Sequence, residues 1–338
     1  MPRSPQAALT RARGATPVED AQGRAIRYLR LSLTPACHMR CVYCRPAFHT
    51  NHAPGMLTPD EIERVVAHLV GQHGVRKVRL TGGDPTARGD LLEIIARLAR
   101  IDGLDDLAMT TNGLSLAAHA REYAAAGLGR VNVSLDALDP ARFAAMTGVD
   151  GLDRVLRGID AALDAGLTPV KLNTVILREQ NESQLPALTR FAAAKGVAVR
   201  FIELMPMGPL GDEWADRYVP ADEMRSILND IVQRWTPLPQ GSDSAKMFRA
   251  RLRDGGEADI GFITPMSCNF CSACNRIRIA SDGSLYPCLM DRPTASILDA
   301  VRPRFDPGAF DNVLIEGIAG KAPEHPSRGF VTMTIIGG

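Results

Sequence analysis

The chain has 338 residues, of which 45% are hydrophobic and 23% charged, and its formal net charge is +1. This length allows one large α/β barrel or two ordinary domains with a full core, and the composition is that of a soluble globular protein. A net charge so close to zero excludes overall attraction to nucleic acid or to a membrane surface, so any anion site has to be local.

The first 23 residues are rich in Pro, Ala and Arg and lack the apolar core of a secretory signal. We therefore predict a disordered tail at 1–23 of a cytoplasmic protein, with no nucleic-acid or membrane partner. The seven cysteines fall in two groups, at 37–44 and 268–288. They are too few and too clustered for a secreted disulfide scaffold, and this pattern favours metal binding.

Strand-like and helix-like segments then alternate along the chain. Apolar, β-rich runs predict six strands, at 28–33, 78–81, 107–111, 131–135, 170–175 and 197–203. Apolar residues at helical spacing predict helices between them, at 62–69, 91–98, 116–125, 152–163 and 185–194. Thr58, Pro59 and Glu61 form a strong start signal for the first helix. Six β-α units in tandem predict an α/β fold, an incomplete (βα)6 TIM-like barrel of parallel strands.

The periodicity changes after Met205. Residues 207–219 look like a loop, 221–235 have helical spacing, and the Gly- and Ser-containing stretch 240–245 predicts a surface connection. Short strands are predicted at 247–252 and 260–264. We place a domain boundary near 205–212, so that a partial barrel at 24–206 is followed by a C-terminal domain at 207–338 that closes its open side.

Three cysteines follow the first predicted strand. Cys37, Cys41 and Cys44 have the spacing C-x3-C-x2-C. Three thiolates on one short loop can hold three corners of a cubic iron–sulfur cluster and leave the fourth iron open to a small molecule. The spacing therefore indicates catalysis more than electron storage.

A second cysteine group lies near the C-terminus. Cys271, Cys274 and Cys288 could hold a second cluster with an open iron. With Cys268 they could instead form a four-thiolate zinc site, and the spacing leaves both interpretations open.

Polar and basic residues fall where predicted strands end, which is where parallel sheets bind ligands. The first cysteines follow strand one, and Gly82-Gly83 follows strand two. Basic residues lie in or beside the strands at seven positions: Arg30, Lys77, Arg79, Lys171, Arg200, Arg276 and Arg278. A charged face in a covered sheet is costly unless it binds an anion. The set therefore favours binding of a nucleotide triphosphate.

The loop 37–44, with Tyr43 before its third cysteine, resembles the signature of radical S-adenosylmethionine enzymes. With the second cysteine group, Arg276-Ile277-Arg278 and the terminal Gly337-Gly338, the sequence is similar to the GTP 3′,8-cyclase family of molybdenum cofactor (molybdopterin) biosynthesis. The similarity runs from about Arg27 to the last residue.

The resemblance implies a lyase that converts GTP to 3′,8-cyclo-7,8-dihydro-GTP with two 4Fe-4S clusters and S-adenosylmethionine. A 5′-deoxyadenosyl radical would take the ribose 3′ hydrogen, and the resulting carbon radical would attack guanine C8. The implied cluster ligands are Cys37, Cys41 and Cys44 for the first and Cys271, Cys274 and Cys288 for the second. An electron donor is also implied but not identified, and a homodimer is left open.

The resemblance also implies roles for single residues. Tyr43, Gly83, Ser134 and Met205 would contact S-adenosylmethionine. GTP contacts are implied for Arg30, Lys77, Arg79, Thr110, Lys171, Arg200, Arg276, Ile277 and Arg278. Catalytic roles are implied for Arg276, Arg278 and a C-terminal tail, Gly337 and Gly338, that threads into the active site. Asp84 stands where the family usually has Glu, and Cys268 is an extra cysteine that we expect to be a free thiol.

Two other classes are weighed against this one. A peptide-modifying radical S-adenosylmethionine enzyme with an auxiliary cluster would share the first motif, but it usually has more C-terminal cysteines and lacks the Arg-Ile-Arg and Gly-Gly features. A non-enzymatic, zinc-stabilised binding protein would explain the second cysteine group but not the first.

Overall fold

The structure is a computed structural model that describes residues 15–44, 55–241, 243–329 and 333–337. Within these ranges the strands are β1 Tyr28–Ser32, β2 Lys77–Thr81, β3 Asp106–Thr111, β4 Arg130–Ser134, β5 Lys171–Ile176, β6 Ala198–Glu203, β7 Val232–Pro237, β8 Ala245–Leu252, β9 Glu257–Ile263, β10 Arg276–Ile279, β11 Ser284–Tyr286 and β12 Ala295–Ser296. The helices are α1 Pro59–His73, α2 Leu91–Leu98, α3 Leu116–Ala125, α4 Pro140–Thr147, α5 Leu152–Asp164, α6 Leu185–Lys195, α7 Trp214–Arg217, α8 Ala221–Leu228, α9 Leu298–Val301, α10 Pro307–Ala319 and α11 Met333–Ile336.

The strands form one sheet in the order β12-β11-β10-β1-β2-β3-β4-β5-β6-β9-β8-β7. All neighbours from β10 through β1 to β6 and on to β9 pair in parallel, and the remaining pairs are antiparallel. The six predicted strands therefore form a parallel arc in sequence order, as predicted for an α/β fold. Strands from the C-terminal half extend this arc at both edges.

The first helix illustrates how local sequence sets the elements. The Thr58 hydroxyl accepts a hydrogen bond from the Glu61 amide, and the Glu61 carboxylate accepts one from the Thr58 amide. This capping box satisfies two backbone donors that a helix start leaves open, with Pro59 in the first turn. The helix ends at Gly74, whose φ of 63° is left-handed and favours glycine. The predicted start signal is confirmed.

Side chains alternate between the two faces of the parallel arc. On β1, Leu29 and Leu31 are buried beneath the helices, and on β2 Val78 and Leu80 are buried likewise. The opposite face of the same strands carries Tyr28, Arg30, Lys77 and Arg79, because successive residues of a strand point to opposite sides. The apolar layer between helices and sheet is the core, and the polar layer faces the other way.

The sequence prediction was wrong for the second half of 221–235. Helix α8 ends at Leu228, and Val232–Pro237 forms β7, which pairs antiparallel with β8. Trp235 packs edge-on against Phe248 of β8, with ring centroids 5.8 Å apart. Pairing with the next strand along the chain overrides a local pattern that suits either element. The predicted loop at 207–219 also contains α7.

The predicted disordered tail lies partly outside the described residues, at 1–14. Residues 15–23, in contrast, pack against the sheet domain. Val18 is buried, its carbonyl accepts a hydrogen bond from the Ile26 amide at 2.9 Å, and Glu19 forms an antiparallel bridge with Ala25. The prediction of disorder does not hold for these residues.

Candidate active site

A cavity of about 300 Å³ lies at the carboxyl ends of the parallel strands. Both cysteine groups line it, so the structure brings together two motifs from opposite ends of the chain. The predicted site residues that line it are Cys37, Cys41, Cys44, Cys271, Cys274, Cys288, Tyr43, Gly83, Ser134, Met205, Arg30, Arg79, Thr110, Arg200, Arg276 and Arg278.

The end of helix α4 holds the first cysteine loop. The Arg40 amide donates to the Thr147 carbonyl at 2.7 Å, and the Val42 amide donates to the Met146 carbonyl at 2.9 Å. The Tyr43 hydroxyl donates to a carboxylate oxygen of buried Asp136 at 2.6 Å. The loop is thus fixed at its backbone and at its aromatic residue before any ligand binds.

The donor set of this loop fits a metal cluster. Burial raises the pKa of Cys37 to about 11, and burial together with the Cys37 thiolate raises the pKa of Cys44 to about 12. Burial and the Asp136 carboxylate also raise the pKa of Cys41 well above its ordinary value. Three such thiols keep their protons unless a bound cation compensates the thiolate charge. The three thiols are therefore better suited to coordinating iron than to remaining as free thiols in contact with solvent.

The turn after β2 packs without room for side chains. The Gly83 amide donates to the Thr34 carbonyl at 2.7 Å, and a Cβ on Gly83 would overlap the carbonyl oxygens of Pro35 and Ala36. Only glycine allows this close approach between the turn and the chain that leads into the cysteine loop.

Asp84 fixes the same turn against β3. Its buried carboxylate accepts hydrogen bonds from the Thr111 hydroxyl at 2.9 Å and from the Asn112 amide at 2.5 Å. It also caps the short turn that follows by accepting from the Thr86 amide. The shorter Asp side chain, where the family usually has Glu, is therefore fully engaged within the protein.

The second cysteine group is held by residues from both termini. The Arg24 guanidinium donates to the carbonyls of Cys271 at 2.7 Å and of Ala322 at 2.9 Å, and it pairs with buried Asp20. Buried Lys321 donates to the carbonyl oxygens of Arg276, at 3.1 Å, and of Pro287. The cysteine loop is thereby clamped between residues that sequence analysis did not single out.

Lys321 also sets the electrostatics at Cys274. Burial by itself raises the pKa of this thiol, but Lys321 and Arg276 more than offset that effect, and the pKa of Cys274 lies below its ordinary value. Lys321 further donates a hydrogen bond to the sulfur. Cys274 therefore loses its proton more readily than an ordinary thiol, whereas burial raises the pKa of Cys271.

The zinc interpretation of the second group does not fit. Tetrahedral coordination at about 2.3 Å would place the sulfurs about 3.8 Å apart. Across the described ranges, the His, Cys, Asp and Glu ligand atoms that converge within 4.8 Å of one another belong to His68, His73 and Asp311, not to cysteines. Cys268 is exposed, and its sulfur lies 3.0 Å from the Lys246 Nζ. Wider spacing is what the corners of a cluster require.

Buried cations dominate the rest of the cavity. In the described part of the chain, no Asp or Glu forms an ion pair with Arg79, Arg200 or Arg278, and the Arg79 Nη1 is buried without a hydrogen-bond partner. Burial first, and then neighbouring arginines, lower the pKa of Arg200 to about 9. Burial lowers the pKa of Arg278 to about 10. An anion bound among these arginines would offset their mutual repulsion.

Register explains how these cations meet. Arg30 of β1 pairs with Arg278 of β10 on one side and with Arg79 of β2 on the other. The three guanidinium groups therefore project from the same face of adjacent strands. This row spans the β1–β10 junction, which local sequence patterns do not reveal.

Four predicted residues do not line the cavity. Lys77 lies at the start of β2, and Ile277 is buried on the opposite face of β10. Lys171 lies beside Arg200, and burial together with this arginine lowers its pKa. Gly337 is buried next to the site, where its carbonyl accepts a hydrogen bond from Arg278. Gly338 lies outside the described residues.

Several lining residues were missed at the sequence level. The Tyr28 hydroxyl accepts a hydrogen bond from the Arg79 Nε. The guanidinium carbon of Arg276 lies over the Tyr28 ring, 6.0 Å from the ring centroid. Asn132 also lines the cavity. Alternation could have found both, since each stands two positions from a predicted site residue on the same strand.

Comparisons with known proteins agree with this arrangement. Residues 31–192 match the family model of the Radical SAM superfamily, and residues 197–327 match that of Molybdenum Cofactor Synthesis C. The chain is 42% identical to the GTP 3′,8-cyclase of Rhodopirellula baltica over 303 residues, which cover 88% of this chain and 83% of the relative. It is 43% identical to GTP 3′,8-cyclase 1 of Pseudomonas aeruginosa over 91% of this chain and 92% of the relative. The chain belongs to the GTP 3′,8-cyclase family.

Solved structures support the fold of this family member. The structure of Streptococcus suis SuiB bound to the precursor peptide SuiA matches with a TM-score of 0.64 and 14% identity, over 87% of this chain and 67% of that one. SuiB bound to S-adenosylmethionine matches with a TM-score of 0.59 and 17% identity, over 87% and 68%. At these identities the likeness shows the fold alone.

Family membership settles the enzyme class. This GTP 3′,8-cyclase family member is a radical S-adenosylmethionine enzyme, for which one 4Fe-4S cluster and S-adenosylmethionine are implied. The alternatives of a zinc-stabilised binding protein and of a peptide-modifying enzyme are therefore set aside. None of the helices in the described ranges is long and apolar enough to cross a membrane.

Proposed function

We propose that this chain converts GTP to 3′,8-cyclo-7,8-dihydro-GTP, by transfer of the ribose 3′ hydrogen to a 5′-deoxyadenosyl radical and attack of the ribose carbon on guanine C8. One observation carries the proposal: two groups of three cysteines line one cavity together with Arg79, Arg200 and Arg278, which form no ion pair with an Asp or Glu of the described residues. A cluster-bound cofactor requires cysteine thiols and a triphosphate requires cationic side chains, and the cavity contains both.

Cys37, Cys41 and Cys44 would hold the first cluster. When bound, the cluster and S-adenosylmethionine supply the one-electron chemistry that starts the reaction, with the electron coming from a separate donor. The Gly82-Gly83 turn, Ser134 and Met205 border the same cavity beside the cysteine loop. Tyr43, fixed by Asp136, orients the loop toward it.

Arg30, Arg79 and Arg278 would bind the triphosphate. They project from adjacent strands on one face, and the unsatisfied Arg79 Nη1 has a hydrogen bond to give. Arginine matches phosphate oxygens through paired donors, and such charge-assisted hydrogen bonds are roughly twice as strong as neutral ones. Binding the anion relieves the repulsion among the cations, so the substrate stabilises its own site.

Cys271, Cys274 and Cys288 would hold a second cluster at the guanine end. Lys321 and Arg276 lower the pKa of the Cys274 thiol, and Arg276 lies over the Phe270 ring, 5.2 Å from its centroid. Orienting the base is essential, because a carbon radical has to meet C8 before it meets any other group.

The C-terminal tail would complete the site. Gly337 has a φ of 72°, and a Cβ there would overlap the Thr81 hydroxyl, so glycine is required by both backbone and space. Its carbonyl binds Arg278, which lines the cavity. Removal of Gly337 and Gly338 should abolish cyclisation while both clusters still assemble.

The decisive test is an anaerobic incubation with S-adenosylmethionine, a chemical reductant and each nucleoside triphosphate in turn. We expect 5′-deoxyadenosine and the cyclised product with GTP alone. The brown protein should contain about eight irons per chain if both clusters are of the four-iron type. 5′-Deoxyadenosine formation that does not depend on GTP, or that follows another nucleotide equally, would refute the proposed substrate. The same preparation run by gel filtration checks the homodimer.

A further inference from the structure

A second group of metal-ligating side chains lies outside the cavity, where two helices meet. His68 and His73 come from the last turns of α1, and Asp311 comes from the second turn of α10. The Asp311 Oδ1 lies 2.7 Å from the His68 Nε2 and 2.6 Å from the His73 Nε2. All three ligand atoms lie within 4.8 Å of one another.

The two rings are held in place by their surroundings. The side chains of His68 and His73 are only 10% and 12% exposed. The rings of Phe305 and Phe310 pack edge-on against the His68 ring, with centroids 5.3 and 5.4 Å away. Packing thus fixes the orientation of the rings, and the two Nε2 atoms point at one place.

Among the described residues, the Asp311 carboxylate lacks a Lys or Arg partner. Asp311 is 34% exposed, and no Lys or Arg of the described residues lies within 4.0 Å of its carboxylate. Its negative charge faces the two imidazoles, in partly buried surroundings. A bound cation would neutralise this charge while using the lone pairs of both rings.

We propose that His68, His73 and Asp311 form a binding site for a divalent cation of the zinc class. Two imidazole nitrogens and one carboxylate oxygen are a ligand set that zinc uses when its fourth position is open to water. The ion would join α1 to α10, and so connect the first helix of the parallel arc to the C-terminal region. The site would act separately from the cavity with the two cysteine groups.

The geometry requires small movements of the three ligand atoms, which lie within 4.8 Å of one another. Tetrahedral coordination at about 2.05 Å separates ligand atoms by about 3.3 Å, whereas the present Nε2 to Oδ1 separations are 2.6 and 2.7 Å. Because Asp311 is the most exposed of the three, its carboxylate can retract from the rings without disturbing the core.

Moderate affinity is expected. The His73 Nδ1 is buried, and the described residues offer it no hydrogen-bond partner. Metal binding through Nε2 keeps the ring proton on Nδ1, and in most sites this N–H donates a hydrogen bond that strengthens the ligand. Loss of such a hydrogen-bond acceptor typically weakens metal binding about 10- to 100-fold. The site is therefore expected to exchange its ion rather than to trap it permanently.

The test uses the tag-free holoenzyme, with its full iron content, dialysed anaerobically against buffered zinc chloride. Zinc and iron are measured in the same samples by mass spectrometry. We expect one zinc per chain beyond the iron, with affinity reduced roughly 10-fold or more in His68→Gln and in Asp311→Asn. Glu316→Gln, an exposed carboxylate on the same helix, and His119→Gln, an exposed histidine on α3, should bind zinc like the unchanged protein.

Zinc-edge X-ray absorption of the unchanged holoenzyme provides a readout that does not depend on variants. Nitrogen and oxygen neighbours at about 2.0–2.1 Å support the site, whereas sulfur neighbours at about 2.3 Å would place the zinc on cysteines and overturn the proposal. Absence of bound zinc, or zinc binding unchanged in Asp311→Asn, would also overturn it. In that case the three side chains are a hydrogen-bonded contact between α1 and α10.

Discussion

Lys321 offers the sharpest test of the proposed second cluster. Its ammonium group is buried and donates to two carbonyls and to the Cys274 sulfur, so all three of its hydrogen bonds are used. Lys321→Met preserves the length of the side chain but removes the charge. The loss should leave the cluster with less compensation for its negative charge, and therefore lower its reduction potential.

The size of this effect follows from Coulomb's law. At an effective dielectric constant of about 20, a unit charge about 6 Å from the cluster contributes about 3 kcal/mol, which corresponds to about 120 mV for a one-electron couple. A potentiometric titration followed by electron paramagnetic resonance measures the shift directly. Because the signals of the two clusters overlap, the titration is run in a Cys37→Ser background, which is expected to lack the first cluster.

Lys195→Met is the matched control. Lys195 lies on α6, pairs with Asp160 and is 35% exposed, so its removal should leave the potential unchanged. An unchanged potential in Lys321→Met, in protein that keeps the iron of its second cluster, would refute the inferred contact between Lys321 and the cluster ligands. Loss of that iron would instead show that the lysine is needed to assemble the site.

Three further predictions concern the substrate, an ion pair and a turn. Arg79→Gln should raise the Michaelis constant for GTP roughly 10- to 100-fold, since one charge-assisted hydrogen bond contributes about 1.5–3 kcal/mol; GTP-dependent 5′-deoxyadenosine formation checks it. Glu61→Gln should lower the free energy of unfolding by about 1 kcal/mol near neutral pH. Hydrogen bonds from Arg302 lower the pKa of Glu61, so this stabilisation is present above the ordinary pKa of 4.5 and is lost as the pH falls through the lowered pKa. Urea unfolding of both proteins at neutral pH and in acid should therefore show that the difference in unfolding free energy disappears in acid. Gly83→Ala should destabilise the protein by about 1–3 kcal/mol and reduce bound iron, whereas Gly89→Ala, where a Cβ meets no atom within 4 Å, should do neither.

Much of the fold could be predicted because its signals are local. Helices α2 and α3 have the predicted bounds, and the six strands of the arc were located to within a residue or two. The parallel strands alternate buried apolar residues with polar ones, and amphipathic helices repeat every 3.6 residues, so each is visible in its own sequence. Residues 232–237 were missed because their strand exists only through pairing with β8.

The candidate site likewise combines residues that local sequence predicts with residues that only distant contacts bring into place. Cysteine spacing and strand alternation pointed to residues that line one cavity, including Arg30 and Arg79. Lys321 and Glu203 could not be predicted, since their roles depend on contacts with segments far away in sequence. The Glu203 carboxylate, buried at the end of β6, accepts hydrogen bonds at 3.0 Å from the amides of Met266 and Ser267, and so positions the loop before the second cysteine group. No local pattern encodes such an anchor.

The pairing of β10 with β1 has a consequence for biosynthesis. Strand β1 emerges from the ribosome early, whereas β10 is made near the end of synthesis. Until then the edge of β1 that β10 will cover is unpaired, and a buried row of arginines lacks one of its members. Contacts between such distant segments form slowly, and an open strand edge favours association with other chains. The nascent protein is therefore expected to need protection during this interval, and truncation before Arg276 should yield aggregates rather than a partly active enzyme.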